Sequence, residues 1–121
     1  MLISHGLWDS PLNFEGWGRV LAAQGYTVVL PRHPGSDNSQ QQAVLSGQAA
    51  PPSAAELGGA ALDLQAINDG VAHHTISGIN EVDASRVVVI GHSWGATTAL
   101  QLAGVKPDDS QLLKRCSNVD D

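Results

Sequence analysis

Cysteine is nearly absent from this sequence. The one residue, Cys116, excludes an internal disulfide, and close to the C-terminal end it reads as a packing residue. No group of Cys and His has the spacing of a zinc site, so no metal is expected. Basic residues are scarce as well. Six Lys and Arg stand against twelve Asp and Glu, a formal net charge of −6, which argues against nucleic acid or an anionic membrane as a partner. No apolar run is long enough to cross a bilayer. No signal-peptide pattern is visible either, because Met1-Leu2-Ile3 leads straight into Ser4-His5-Gly6, and the compartment stays open. There is no G-x-G-x-x-G and no P-loop lysine, so nucleotide binding has no motif to rest on. Internal repeats are missing too. What remains is 121 residues, enough for one small domain with a core.

What the sequence does hold is Gly91-His92-Ser93-Trp94-Gly95. An apolar β-branched run, Val87-Val88-Val89-Ile90, comes before it, and a small-residue segment of helical character, Ala96 to Gly104, comes after. Strand, G-x-S-x-G and helix is the context of a nucleophile elbow. The turn is tight enough to strain the serine backbone, and the glycines two positions either side leave room for strand and helix to approach. Ser93 Oγ would then stand free at the carboxyl end of a sheet and at a helix N-terminus, where unpaired N–H groups and the helix dipole favour developing negative charge. The bland alternative is a structural Gly-Ser turn.

Taken in order, the chain opens on Met1-Leu2-Ile3, which reads as the end of a strand. Ser10 is a candidate N-cap with Pro11 at the first helical position, and a helix is predicted over Leu12–Gln24 with Phe14, Trp17 and Leu21 on its buried face. Gly25 stands where a left-handed C-terminal cap belongs. Tyr26–Leu30 is β-rich and stopped by Pro31, which predicts a second strand. Residues 35–59 read as a long loop or excursion with one short helix around Gln41–Leu45. A helix is predicted from Ala60 to His74 with Leu64, Ile67 and Val71 on one face, then a strand over Val87–Ile90 and a helix over Trp94–Gly104. Residues 106–121 form a polar tail with at most one further turn around Gln111–Arg115. Apolar strands alternating with helices imply an open parallel α/β sheet with helices on both faces, the Met1–Ile3 strand lying between the other two. Ligands of such sheets bind beyond the carboxyl ends of the strands.

Three turns in this order resemble a known family. Ser4-His5-Gly6-Leu7 after one strand, His33-Pro34-Gly35-Ser36 after the next, and Val82-Asp83-Ala84-Ser85-Arg86 leading to Gly91-His92-Ser93-Trp94-Gly95 are similar to the α/β-hydrolases. Within them the likeness is to the dienelactone-hydrolase-like proteins of bacteria and the platelet-activating-factor acetylhydrolases. It spans nearly the whole chain. One departure is Ala96, where many relatives carry a second glycine. The larger one is that the triad acid and histidine of this fold follow the serine along the chain, and the segment after Ser93 holds only the elbow helix and the polar tail. On this reading residues 1–121 are a single, incomplete hydrolase domain, the middle of a larger protein and inactive alone.

The resemblance implies an ester hydrolase that works through an acyl-enzyme on Ser93, without a cofactor, on a small-molecule ester. The backbone N–H groups of Leu7 and Trp94 would form the oxyanion hole. Leu7 could equally be an ordinary loop residue. A serine needs a base, and the five histidines are poor candidates. His92 adjoins Ser93 and should point away from it as part of the elbow. His73 and His74 close a helix and should face solvent. His5 reads as a turn-stabilising residue. His33, with Asp37, lies at the correct sheet edge but two strands from Ser93, about 10 Å at about 4.8 Å per strand, beyond hydrogen-bond reach. The rival reading is an inactive hydrolase remnant used as a binding or scaffold module. A piece of sheet with open apolar edges is also expected to self-associate.

Overall fold

Leu2, Ile3 and Ser4 form a three-residue strand, β1, and all three are buried. In the computed structural model, which describes residues 1–79 and 82–105, β1 lies at the centre of the sheet. On one side it pairs in parallel with β2 (Val89–Gly91), in the register Leu2–Val89, Ile3–Ile90, Ser4–Gly91. On the other side the Val29 N–H donates to the Met1 carbonyl at 2.8 Å, and the Ile3 N–H donates to the Val29 carbonyl at 3.0 Å. The predicted middle position of the Met1–Ile3 strand is therefore observed.

The helices are α1 (Glu15–Ala23), α2 (Asn38–Leu45), α3 (Ala54–Ala72) and α4 (Trp94–Leu102), with a 3-10 turn, Pro11–Phe14, leading into α1. The architecture is α/β: a small parallel sheet with helices packed on it. Leu2 and Ile3 of β1 join Ala60 and Leu64 of α3 in the buried core, with Thr98 of α4 fully enclosed beside them. Burying a leucine such as Leu64 stabilises by about 2 kcal/mol. The Thr98 hydroxyl escapes the cost of burial by donating to the Trp94 carbonyl at 3.2 Å.

Several expectations need correcting. Tyr26–Leu30 is not a full strand; it makes one parallel bridge, between Val29 and Leu2. Its first amide, Tyr26, is spent on the Leu21 carbonyl at the end of α1, and Pro31 has no N–H to give. Only the middle of the run is left to pair. The buried face of α1 also differs. Trp17 is exposed and the buried residue is Gly18, where an added Cβ would meet Leu30 Cδ1 at 3.4 Å and Val28 Cγ1 at 3.7 Å. The helix comes down on the sheet through its glycine, which turns the indole outward. Ser10 does cap the first turn, accepting from the Leu12 N–H, and Gly25 does adopt the left-handed conformation, with φ +93°.

The 35–59 stretch is not one long loop. Asp37 caps α2 by accepting from the Gln40 N–H at 2.9 Å, and α3 begins six residues before the expected Ala60, at Ala54. The start signal is a capping box. The Glu56 N–H donates to Ser53 Oγ at 3.2 Å, and the Ser53 N–H donates to Glu56 Oε2 at 2.6 Å. Caps of this kind stabilise by about 1 kcal/mol, which offsets part of what Gly58 and Gly59 cost the helix. β2 is shorter than Val87–Ile90, and Val87, Val88 and Ile90 remain exposed rather than covered on both faces. The polar tail, with Gln111–Arg115 and Cys116, lies outside the described residues.

Candidate active site

The strand–helix corner at the end of β2 brings the chain from Gly91 to Trp94 with no loop between. Ser93 occupies the N-cap position of α4 with φ 55° and ψ −122°. A serine there is strained, at a cost of about 1–3 kcal/mol that the surrounding packing must hold. The two glycines have a steric reason. A Cβ on Gly91 would overlap the Gly95 carbonyl and stand 2.6 Å from the Ala96 nitrogen. A Cβ on Gly95 would run into the Ser4 carbonyl and stand 2.7 Å from the His5 carbonyl oxygen. The corner closes only with hydrogen at both positions. Ser93 itself is exposed, and its side chain does not cap α4.

The turn after β1 lies against this corner. The His92 N–H donates to the Ser4 carbonyl at 3.2 Å. A Cβ on Gly6 would meet Ser93 Cβ at 3.0 Å and Ser93 Oγ at 3.5 Å. The turn continues through Trp8 in the left-handed conformation, φ 64°, which sends its N–H to the Ser36 carbonyl at 2.7 Å. The Asn38 N–H then reaches back to the Asp9 carbonyl at 2.9 Å. The turn is thus strapped to the segment that enters α2. Among the described residues, neither the Leu7 nor the Trp94 backbone N–H donates to a backbone carbonyl.

The structure brings none of the histidines into a hydrogen bond with Ser93 among the described residues. His92 Nδ1 is 3.8 Å from Asp9 Oδ2, and its ring lies 5.9 Å from that of Phe14, so it is engaged on the turn and not on its neighbour. His73 caps the end of α3, donating from Nδ1 to the Asp69 carbonyl at 2.8 Å, and both it and His74 are exposed, as expected. His5 is the turn-stabilising residue it was read to be. Nδ1 donates to the Gly6 carbonyl at 2.8 Å, and Nε2 accepts from the His33 N–H at 3.0 Å.

His33, expected to lie beyond hydrogen-bond reach of Ser93, has its partners elsewhere, and Asp37 is not one of them. Its Nε2 meets Ser4 Oγ at 3.0 Å and its Nδ1 meets Asp63 Oδ2 at 3.3 Å, so both nitrogens are committed away from Ser93. Asp37 turns instead to Arg32, at 3.0 Å, and to the α2 cap. Ser4 and Asp63 went unremarked in the sequence. An acid inside the apolar run Ala60-Ala61-Leu62-Asp63-Leu64 was the available signal.

Comparison with known families matches residues 1–112 to the model of the alpha/beta hydrolase fold. The chain belongs to the alpha/beta hydrolase fold family. No curated protein and no solved structure matches it. The strained Ser93 corner and the Ser4–Asp9 turn lie side by side in this fold.

The charges around that turn are held in place. Burial works to raise the Asp37 carboxyl, but the Gln40 amide and the Arg32 guanidinium outweigh it and keep it below the usual carboxylate range. Asp9 is opposed by burial in the same way and is held low by Asn13, the Ser10 N–H and the nearby imidazoles. His33 moves down from its ordinary 6.5 because burial disfavours the cation more than Asp63 favours it, and the His5 ring adds to the shift. The sign of the consequence is definite. An unfolded His33 takes a proton near 6.5 while the folded one resists, so stability is complete above 6.5 and is lost as pH falls through the lower folded value. Urea midpoints at about pH 7.5 and about pH 5.5 should therefore differ, the acid one being lower, and His33→Gln should shrink the difference. An equal difference in His33→Gln would assign the effect elsewhere.

Proposed function

We propose that this chain carries the nucleophile of a serine hydrolase acting on carboxylic esters. The observation that supports it most is the backbone of Ser93, left-handed and strained, with an exposed side chain at the N-terminus of a nine-residue helix. Ser93 Oγ would form a bond to the ester carbonyl carbon while its proton passes to a base. The Leu7 and Trp94 amides would receive the oxyanion. Collapse breaks the bond to the alcohol, which leaves with that proton, and water then releases the acid from Ser93. The finer likeness to dienelactone-hydrolase-like proteins and platelet-activating-factor acetylhydrolases rests on the order of the motifs. It suggests a small-molecule ester as substrate.

Among the described residues no imidazole reaches Ser93, so residues 1–121 as a separate chain are expected to turn over slowly. The protein that carries them is the one to test. An alkyl fluorophosphonate should add one phosphonyl group, found by peptide mass at Ser93. Labelling at another serine, with Ser93 untouched, would overturn the assignment. A binding or scaffold module has no specific observation in its favour, because a strained, exposed serine serves no packing purpose.

Self-association through the sheet edge remains a proposal as well. Val87, Val88 and Ile90 are 41%, 47% and 38% exposed beside the short β2, and unpaired apolar edges recruit other strands. Sedimentation of residues 1–121 should show mass rising with concentration; a constant monomer would refute it.

A further inference from the structure

Beneath the Ser93 corner lies a second set of serine, histidine and aspartate that the proposed chemistry does not use. Ser4 and His33 are buried, Ser4 completely, and His5 is enclosed beside them with its ring 4.9 Å from that of His33. Asp63 on α3 is the only one of the four that reaches water, with its side chain 55% exposed.

The hydrogen bonds define where the protons are. A carboxylate only accepts, so His33 Nδ1 carries the proton toward Asp63 Oδ2, at 3.3 Å. In the neutral ring, the form that burial favours, His33 Nε2 is the acceptor and the Ser4 hydroxyl donates to it at 3.0 Å. A carbonyl also only accepts, so His5 Nδ1 carries its proton toward Gly6, and His5 Nε2 receives the His33 N–H. Every group in the chain has its partner, and in the neutral His33 ring the proton is held on Nδ1.

The position of this chain gives it a purpose. Ser4 is the residue whose carbonyl accepts from the His92 N–H and lies against Gly95, and Gly6 two residues on lies against Ser93. With no side-chain anchor, the end of a three-residue strand is free to shift. We propose that Asp63 and His33 are positioning residues: Asp63 holds the His33 tautomer, His33 holds Ser4, and Ser4 sets the turn from which the Leu7 amide faces the nucleophile. This rests on the Ser93 reading for its catalytic consequence, but the tautomer claim stands apart from it. Ser4 itself is not a second nucleophile, because no substrate reaches a side chain so enclosed.

The test uses the protein that carries this chain, labelled with nitrogen-15, and long-range imidazole correlation spectra. The wild type should show His33 protonated at Nδ1. Asp63→Ala removes an exposed carboxylate, so folding should persist, with the His73 and His74 signals unmoved as the control. The His33 signature should change to the Nε2-protonated form or a mixture. Turnover of a p-nitrophenyl ester by the same variant should fall about ten- to a hundredfold in kcat with KM held, the scale of a small misplacement of reacting groups. Ser4→Ala should reproduce the kcat loss while leaving the His33 tautomer on Asp63. A wild-type His33 protonated at Nε2, an Asp63→Ala protein with an unchanged tautomer, or one with an unchanged kcat would each overturn the proposal. If Ser93→Ala leaves turnover intact, the nucleophile reading fails instead, and the spectra still decide the tautomer.

Discussion

Ser93→Ala, made in the protein that carries residues 1–121, is expected to lower p-nitrophenyl acetate turnover by at least about a thousandfold. The size follows from what the residue does. Without Oγ there is no acyl-enzyme, and only the electrostatic cradle is left, which by itself gives a residual rate above water. The fold should not suffer, since Ser93 is exposed and its side chain makes no capping bond that alanine would lose. A change that abolishes rate and leaves the urea midpoint in place is the signature of a nucleophile. Turnover within a factor of about two of wild type would end the assignment, because no other serine at this corner is exposed and strained.

The second large effect is on stability. Gly91→Ala is expected to cost about 3 kcal/mol or more, the upper range for forcing atoms into a packed interior. The added methyl would collide with the Gly95 carbonyl and the Ala96 nitrogen, which are backbone atoms of the first turn of α4 and cannot rotate away. Relief would need α4 to lift from β2 and from the Ser4 carbonyl beneath it. Gly58→Ala, in the interior of α3, is the contrasting case. Its added Cβ meets nothing within 4 Å, and removing a helical glycine should stabilise by up to about 1 kcal/mol. Urea denaturation of the two variants should move the midpoint in opposite directions. Equal shifts would show that the Gly91–Gly95 contact does not limit the corner.

Much of this architecture could be read from residues alone because it depends on local chemistry. The elbow was legible since strand, glycine, serine, glycine and helix follow one another within a few residues. The Ser10–Pro11 start and the Gly25 stop of the first helical segment were legible for the same reason: a cap bonds to amides two or three positions away. The α3 start is equally local: the Ser53–Glu56 capping box lies inside the 35–59 stretch, where Pro51-Pro52 and Gly58-Gly59 on either side favour a loop reading. Tyr26–Leu30 was overread as a strand. β propensity says that a run can pair, whereas pairing also needs amides that are not spent on the preceding helix, and Tyr26 spends its own.

By itself the sequence determined the strands at Met1–Ile3 and before Gly91, the helices that follow them, the membership of the alpha/beta hydrolase fold family over residues 1–112, and which serine sits at the tight turn. Those follow from hydrophobic period, turn chemistry and motif order, all short-range quantities. Only the tertiary structure decided the partners of the buried polar groups. His33 lies 29 residues from Ser4 and 30 from Asp63 along the chain, and nothing in the spacing of a serine, a histidine and an aspartate says that they will meet. They meet because the Val29 segment runs beside β1 and α3 packs over the core with Leu64 inward, carrying its neighbour Asp63 to the His33 ring. The same packing left Trp17 outside and put Gly18 on the sheet. Once the chain is folded, the closeness of two backbones, and not the hydrophobicity of a single residue, selects which side chain is buried.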